Sequence, residues 1–304
     1  MKILIVGAGA VGGYFGGRLA EKGEDVTFLV RKNRKKQLEK NGLTIQSTHG
    51  YIHIVPKILV SGEEHGTFDA VFLSTKAYHL DKAVMDIKPY TDDATLIVPL
   101  LNGISHLELL ENHFKKENIL GGLCFIESTL DSEGTIHHTS PMQEAVFGPR
   151  DGEMTETILL LNKALQGSKA EFRLSEQIMQ EMWHKYLFIT TFSGVTSLFR
   201  SPIGPIRDQL ESRSLMHQLI SEVRNTAISI QAPILERVDE ILKSKLQEIG
   251  HGMKSSLQRD MEKGQDIEAE HLFGHMKTIA GHHNIQTPVL DVIYANLKVY
   301  ESSN

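Results

Sequence analysis

The sequence has little cysteine and no long apolar run, and each shortage excludes a class of protein. Its one cysteine, Cys124, excludes an internal disulfide and a zinc site built on several thiolates. No apolar stretch approaches the roughly 20 residues that a membrane-spanning helix requires. Glycines also interrupt the apolar N-terminus too early for a signal peptide. We therefore expect a protein of the reducing cytoplasm with no membrane partner.

The chain also lacks a strong excess of positive or negative charge. The formal net charge is −6, and the basic residues are spread along the chain. No nucleic-acid partner is expected, because phosphate backbones are bound by concentrated positive charge. With 40% hydrophobic and 23% charged residues, the chain has an ordinary globular composition, and its 304 residues suffice for two domains with sizeable cores or for one large α/β unit.

The apolar pattern divides the chain into an α/β part and a helical part. Strands predicted at 2–6, 25–30, 70–74, 95–99 and 119–125 alternate with helices, as in a doubly wound parallel sheet. The segment 134–148 predicts a hairpin with its turn near Ser140 and Pro141, at an antiparallel edge. After Phe172, helices are predicted at 176–200, 208–231, 233–248, 264–282 and 288–300. We predict a Rossmann-type domain over residues 1–174 and an all-helical domain over 175–304.

A glycine-rich turn follows the first predicted strand and has the form GxGxxG. Its residues are Gly7, Ala8, Gly9, Ala10, Val11 and Gly12. In such turns the first glycine makes the tight bend, the second lets the backbone approach a pyrophosphate, and the third packs the helix on the strand. Free N–H groups of the helix then face the phosphates. We predict that these six residues bind a dinucleotide; the alternative is a merely flexible turn.

The end of the second predicted strand indicates which dinucleotide is bound. An NAD enzyme has an acidic residue there for the ribose 2′-hydroxyl, whereas this chain has Arg31. A guanidinium can pair with the 2′-phosphate that only NADP carries. The pattern therefore predicts NADP(H) as the cofactor. For the basic residues after Arg31, a solvated helix start is the favoured interpretation.

The helical part offers three groups of polar residues with competing interpretations. Lys185 follows Trp183 and His184, and taken alone it is typical of a surface lysine beside an apolar face. The serines at 255 and 256 are typical of a helix start. His271 and His275 lie four residues apart on one predicted helix, which is compatible with a metal site, but no HExxH pattern is present and we expect no metal.

Together these features resemble the ketopantoate reductase (2-dehydropantoate 2-reductase) family over nearly the whole chain. The resemblance is carried by the glycine turn with Arg31, Ser74-Thr75-Lys76-Ala77, Leu101-Asn102-Gly103, Gly148-Pro149, Trp183-His184-Lys185, Ser255-Ser256, and Gly264 with Glu268.

The resemblance implies an NADP-dependent oxidoreductase that reduces 2-dehydropantoate to pantoate, a step of pantothenate biosynthesis. It implies Lys185 as the general acid and Glu268 as a catalytic glutamate near substrate and cofactor. Lys76 and Asn102 are implied near the cofactor, with Asn102 also at the substrate, and Ser256 at the substrate carboxylate. A lysine ammonium suits the reaction, since it can both stabilise and protonate the developing alkoxide.

The chain also departs from the family pattern. Where the family has substrate-contacting asparagines, this chain has Ile189, Ser193 and Ile203, and we expect Ser193 to contact the substrate. The family's TEIDxxNG corresponds here to residues 267–274, in which Phe273 replaces an asparagine. Two alternatives stay open: a reductase of a more apolar 2-keto acid, and a non-catalytic NADP(H) sensor. A homodimer is also allowed for.

Overall fold

The computed structural model describes residues 1–303. Its strands are β1 (Lys2–Val6), β2 (Asp25–Leu29), β3 (Leu43–Ser47), β4 (Ile52–Ile54), β5 (Lys57–Leu59), β6 (Ala70–Leu73), β7 (Leu96–Pro99), β8 (Gly121–Leu130), β9 (Ile136–Gly148) and β10 (Glu171–Leu174). Its α-helices are α1 (Ala10–Lys22), α2 (Lys32–Asn41), α3 (Leu80–Ile87), α4 (His106–Glu111), α5 (Glu156–Leu165), α6 (Ile178–Phe199), α7 (Ile203–Asp208), α8 (Leu210–Ser229), α9 (Val238–Glu248), α10 (Ser256–Glu262), α11 (His275–His282) and α12 (Pro288–Ser303). A π-helical turn spans Glu270–Gly274 directly before α11. Within residues 1–303, no helix is both long enough and apolar enough to cross a membrane.

The chain forms two compact units. Unit 1 contains Met1–Leu101 and His106–Ile178, and unit 2 contains Asn102–Ser105 with the chain from Met179 onward. The sequence pattern places the division after residue 174, whereas the structure places it after residue 178. The pattern does not predict that the four residues Asn102–Ser105 belong to the helical unit.

The first sheet of unit 1 is parallel throughout, with the strand order β5-β2-β1-β6-β7. Its central strands are continuous buried apolar runs, as expected for a parallel sheet covered on both faces. From β1 the chain proceeds outward to β2 on one side, and β6 and β7 follow on the other. The order therefore reverses between β1 and β6, and this reversal is the topological switch point at which doubly wound sheets bind ligands. The predicted fold class is confirmed.

A second sheet in unit 1 corrects the hairpin prediction. The turn lies at Asp131–Gly134 and not at Ser140 and Pro141. Gly134 adopts a φ of +88°, and the Asp131 carboxylate accepts a hydrogen bond from the Thr135 N–H at 2.8 Å. Pro141 stays within β9, at the irregular part of its pairing with β8, where the missing N–H breaks no regular ladder. Because β9 pairs with β3, β8 and β10, it is not an edge strand.

Unit 2 is built from helices around its own apolar core, which includes Tyr186, Val195, Leu219 and Phe273. The predicted helix over 264–282 is wrong at its start. Gly264 has a φ of +63° and follows the short helix α10, and helical structure resumes only near Glu270, as the π-helical turn before α11. The short helix α10 lies between the helices predicted at 233–248 and 264–282, and the sequence pattern does not predict it.

Candidate active site

The glycine turn lies at the switch point of the parallel sheet, between the ends of β1 and β6. Gly7 has a φ of +93°, a left-handed conformation that favours glycine. A Cβ on Gly12 would lie 2.0 Å from Ser74 Oγ and 2.2 Å from the Gly7 carbonyl oxygen. The Ser74 hydroxyl donates hydrogen bonds to the carbonyls of Val6 and Gly7, at 2.8 and 3.2 Å. Strand β6 thus holds the turn in a shape that only glycine at position 12 permits.

The same turn has the features that a pyrophosphate requires. A Cβ on Gly9 would meet no atom within 4 Å, so this side of the turn is open. No side chain caps α1, and its first turn, which includes Ala10 and Val11, carries no acidic residue. The α1 N–H groups are therefore available to an anion. At the adjacent strand end, the buried Thr75 Oγ1 has no hydrogen-bond partner in the described part of the chain. These observations fit a dinucleotide at this turn.

Two arginines after β2 have different roles. Arg31 is exposed at the N-cap position of α2. Arg34 Nε instead donates to the carbonyl oxygen of Ala8 at 2.9 Å, which fixes the middle of the glycine turn. Lys76 lies after β6, next to Thr75. The prediction that the residues after Arg31 form only a solvated helix start is therefore wrong for Arg34, and a bond to a backbone carbonyl leaves no signal in the sequence.

Lys185 lies on α6 and is partly exposed, one residue before the fully buried Tyr186. The Tyr186 hydroxyl donates a 2.6 Å hydrogen bond to the carbonyl oxygen of Leu272 in the π-helical turn. Burial raises the pKa of the Tyr186 phenol, so it stays a hydroxyl donor. The Leu272 N–H in turn donates to the Glu268 carbonyl at 3.1 Å. Tyr186 thereby holds the segment that carries Glu268 against the helix that carries Lys185.

Asn102 is tied to the same segment through His271. His271 Nε2 lies 2.6 Å from the Asn102 carbonyl oxygen, and Nδ1 lies 2.8 Å from Ser105 Oγ. Burial lowers the pKa of His271, while the Asn102 carbonyl and the negative charge of Glu268 partly offset that effect. Three predicted site residues, Lys185, Glu268 and Asn102, therefore belong to one unit and to elements in mutual contact. The predicted residues Arg31 and Lys76 and the glycine turn belong to the other unit.

The structure distinguishes the two adjacent serines. Ser255 is buried and caps α10, accepting a hydrogen bond from the Gln258 N–H at 3.1 Å and one from the Thr196 hydroxyl at 2.8 Å. Ser256 is exposed at the first residue of that helix. Its hydroxyl is therefore on the surface, as the proposed role of Ser256 requires. Ser193 is 4% exposed within α6.

The apolar replacements differ in their surroundings. Ile189 is partly exposed and lies four residues after Lys185 on α6, hence on the same helix face. Ile203 is 0% exposed and belongs to the core of unit 2. Phe273 is also fully buried, and its ring lies 3.2 Å from where a Gly194 Cβ would stand. Of these three residues, only Ile189 has surface that a ligand could reach.

The residues that sequence reasoning missed are the ones that hold the site together. Tyr186 and Ser105 carry no motif signal, and the spacing of His271 from His275 indicates at most a metal pair. Both of its ring nitrogens are engaged by Ser105 and Asn102. Among residues 1–303, no three His, Cys, Asp or Glu side chains are grouped so that they could hold a metal ion.

Comparison with known proteins identifies the family. Residues 3–152 match the model of the ketopantoate reductase PanE/ApbA family, and residues 177–301 match the model of its C-terminal domain. The uncharacterized oxidoreductase YkpB of Bacillus subtilis is 45% identical over 302 residues, which cover 99% of each chain. The chain belongs to the ketopantoate reductase family. It is accordingly an NADP-dependent oxidoreductase, as the sequence predicts.

Solved structures show the same fold. The 2-dehydropantoate 2-reductase from Geobacter metallireducens superposes with a TM-score of 0.88 at 26% identity, covering 98% of this chain and 99% of that one. A D-mandelate dehydrogenase with NADH and anilino(oxo)acetate superposes with a TM-score of 0.87 at 21% identity, covering 100% and 99%. Structures with this fold therefore include proteins named for two different substrates.

Arg31 provides a first test of the cofactor site. We predict that NADPH binds more tightly than NADH by about 1.5–3 kcal/mol, the contribution of a charged hydrogen bond, or roughly ten- to hundredfold. Arg31→Ala should remove most of this preference, whereas Lys36→Ala, on the exposed side of α2, should preserve it. Fluorescence titration of the reduced cofactors measures both constants. Equal affinity for the two cofactors in the unmodified protein would contradict the assignment of Arg31.

Proposed function

We propose that this chain reduces a 2-keto acid to the 2-hydroxy acid with NADPH, and that its preferred substrate has a less polar tail than 2-dehydropantoate. The substrate proposal rests on the position of Ile189. It is partly exposed on the same face of α6 as Lys185, at a place where the family has a substrate-contacting asparagine. A methyl-rich side chain cannot hydrogen-bond a substrate hydroxyl, so the pantoyl hydroxyl would lose a partner and a hydrocarbon tail would gain a contact.

The roles of the protein groups follow from what ketone reduction requires. When bound, the reduced nicotinamide would be the source of the hydride that the ketone carbon takes up. The Lys185 ammonium donates a hydrogen bond to the ketone oxygen, stabilises the negative charge that develops there, and transfers its proton to that oxygen. Glu268 accepts a hydrogen bond from the substrate and orients the ammonium. Asn102, Ser193 and Ser256 fix the 2-keto carboxylate, so that the reacting atoms are held in one geometry.

The cofactor assignment rests on unit 1. The open glycine turn, the uncapped start of α1 and the exposed Arg31 support NADPH, with Lys76 close to the turn. These features carry no information on the substrate. The choice of substrate therefore depends on the residues of unit 2.

The second candidate substrate is 2-dehydropantoate itself, and with it a place in pantothenate biosynthesis. It is favoured by the family models and by the Geobacter metallireducens structure that carries this enzyme's name. Against it stands the loss of a polar group at position 189, the replaced position that a ligand could reach. The D-mandelate dehydrogenase of the same fold supports an apolar substrate, since mandelate carries a phenyl ring.

The substrate proposal is tested by NADPH oxidation over a panel of 2-keto acids that contains 2-dehydropantoate and branched aliphatic and aromatic analogues. We expect an analogue with a hydrocarbon tail to have the highest kcat/KM. Ile189→Asn should shift the ratio of kcat/KM values toward 2-dehydropantoate by about tenfold or more, the typical effect of one added polar contact. Ile228→Asn, at an exposed isoleucine of α8, should leave the ratio unchanged.

Two outcomes would decide against this proposal. If the unmodified protein turns over 2-dehydropantoate with the highest kcat/KM of the panel, the substrate is the family's own. If NADPH binds but no keto acid is reduced, the chain is a cofactor sensor rather than an enzyme.

A further inference from the structure

His271 joins the Asn102–Ser105 loop to the segment that carries Glu268. The loop lies far from His271 in the sequence, but both belong to unit 2. One ring nitrogen contacts the carbonyl of Asn102 at 2.6 Å and the other contacts the Ser105 hydroxyl at 2.8 Å. The residue stands in a π-helical turn, a distortion that is frequent at functional sites.

The Asn102 carbonyl defines which ring nitrogen of His271 carries a proton. A carbonyl oxygen can only accept, so His271 Nε2 must carry a proton. In the neutral ring Nδ1 then accepts from the Ser105 hydroxyl, and both nitrogens are satisfied. The burial that lowers the pKa of His271 favours this neutral form, and Glu268 is the charged group that opposes it. One neutral tautomer is therefore specified.

The loop also packs directly on the ring. Gly103 has a φ of +75°, and a Cβ there would lie 3.0 Å from His271 Nε2 and 3.3 Å from the Leu272 side chain. The next residue, Ile104, packs against the apolar core of unit 2. The hydrogen bond to Asn102 uses its backbone carbonyl and so does not consume its side-chain amide. The loop is thus held through Asn102, Ile104 and Ser105, and none of these contacts uses the Asn102 side-chain amide.

We propose that His271 is a positioning residue, which sets the Asn102 amide relative to Glu268 by donating its Nε2 proton to the Asn102 carbonyl. The inference rests on the proposed roles of Asn102 and Glu268 in binding. It is not part of the family pattern, which leaves this place unspecified. A shift of the loop by about 1 Å can lower catalytic efficiency on the order of 10²-fold, because the geometry of bound groups controls the reaction.

Matched substitutions separate the hydrogen bond from packing. In His271→Gln, the side-chain amide can donate from a position close to that of Nε2, whereas in His271→Asn it reaches only the position of Nδ1. His271→Phe keeps a ring without either nitrogen. We expect His271→Asn and His271→Phe to weaken NADPH binding and to raise the KM of the keto acid by about tenfold or more. His271→Gln should stay within about threefold of the parent, and His282→Phe, at an exposed histidine of α11, should match the parent.

The measurements are NADPH binding by fluorescence, steady-state kinetics and the thermal midpoint of each full-length variant. The proposal is overturned if all three His271 variants bind like the parent, or if all three are equally impaired while their thermal midpoints are unchanged. Asn102→Ala and Glu268→Gln are measured in parallel. If those two leave binding and turnover unchanged, the site assignment under the proposed function is wrong, and the role of His271 fails with it. If they are impaired while His271→Asn is not, only the role of His271 is wrong.

A second readout needs no substitution and covers the case in which the variants do not fold. A long-range ¹H–¹⁵N spectrum of the histidine side chains distinguishes a proton on Nε2 from one on Nδ1. We expect His271 to show the neutral Nε2–H tautomer at pH 7.5. A neutral ring with its proton on Nδ1 would have no proton on Nε2 to donate to the Asn102 carbonyl, and it would overturn the proposal.

Discussion

Lys185→Ala is expected to lower kcat by a factor on the order of 10² to 10⁴ while NADPH affinity stays almost unchanged. The decrease is the usual contribution of a positioned general acid. Affinity should persist because the glycine turn and Arg31, which supply the proposed phosphate contacts, belong to unit 1. Single-turnover hydride transfer with pre-bound NADPH and saturating keto acid isolates the chemical step from product release.

The control is a lysine on the surface of the same unit. Lys298 on α12 pairs with Glu301 at 2.6 Å, and Lys298→Ala should transfer hydride at the parent rate. If Lys185→Ala also transfers hydride at the parent rate, Lys185 is no part of the mechanism and is a surface lysine. Glu268→Ala should impair both substrate binding and the rate of turnover, because Glu268 is proposed to contact the substrate and to orient the Lys185 ammonium.

Gly12→Ala is expected to destabilise unit 1 and to abolish tight NADPH binding. The added methyl group would lie 2.0 Å from Ser74 Oγ and 2.2 Å from the Gly7 carbonyl. The backbone contact cannot be relieved by rotating a side chain, so α1 has to move away from the strand ends. Overpacking of this kind costs about 1–3 kcal/mol, and more where the backbone is the obstacle. Thermal unfolding and NADPH titration measure the two effects.

The Gly9→Ala variant distinguishes an effect on cofactor binding from an effect on the stability of the fold. Its methyl group would meet no protein atom within 4 Å, so the thermal midpoint should stay near that of the parent. NADPH binding should nevertheless weaken, because the methyl group would occupy space that the pyrophosphate needs. Gly66→Ala, at another open glycine of unit 1, should change neither property. Tight NADPH binding by Gly9→Ala would contradict the assignment of this turn to the pyrophosphate.

The parts of the site that the sequence predicted are those encoded within a few residues. The turn from Gly7 to Gly12 requires only a strand, three glycines and a helix start, and the structure gives each glycine the predicted surroundings. The hairpin prediction failed because two local signals competed. Ser140 and Pro141 are typical turn residues, but Asp131 and Gly134 form the tighter hydrogen-bonded turn.

The substrate residues were predicted less completely, because burial depends on the whole fold. Ile189 and Ile203 look equivalent in the sequence, yet one is partly exposed beside Lys185 and the other is enclosed in the core. The two adjacent serines likewise differ in exposure only once α10 has formed. Ser255 then satisfies a backbone N–H of the helix, and Ser256 remains on the surface.

The sequence by itself determined the Rossmann-type half, the glycine-rich turn after its first strand and the helical character of the second half. Each of these follows from periodicity or from residues adjacent in the chain. Only the tertiary structure decided that the Asn102–Ser105 loop belongs to the helical unit and that His271 holds it. These partners lie 169 and 166 positions apart, and their contact depends on the path of the folded chain between them rather than on any local preference.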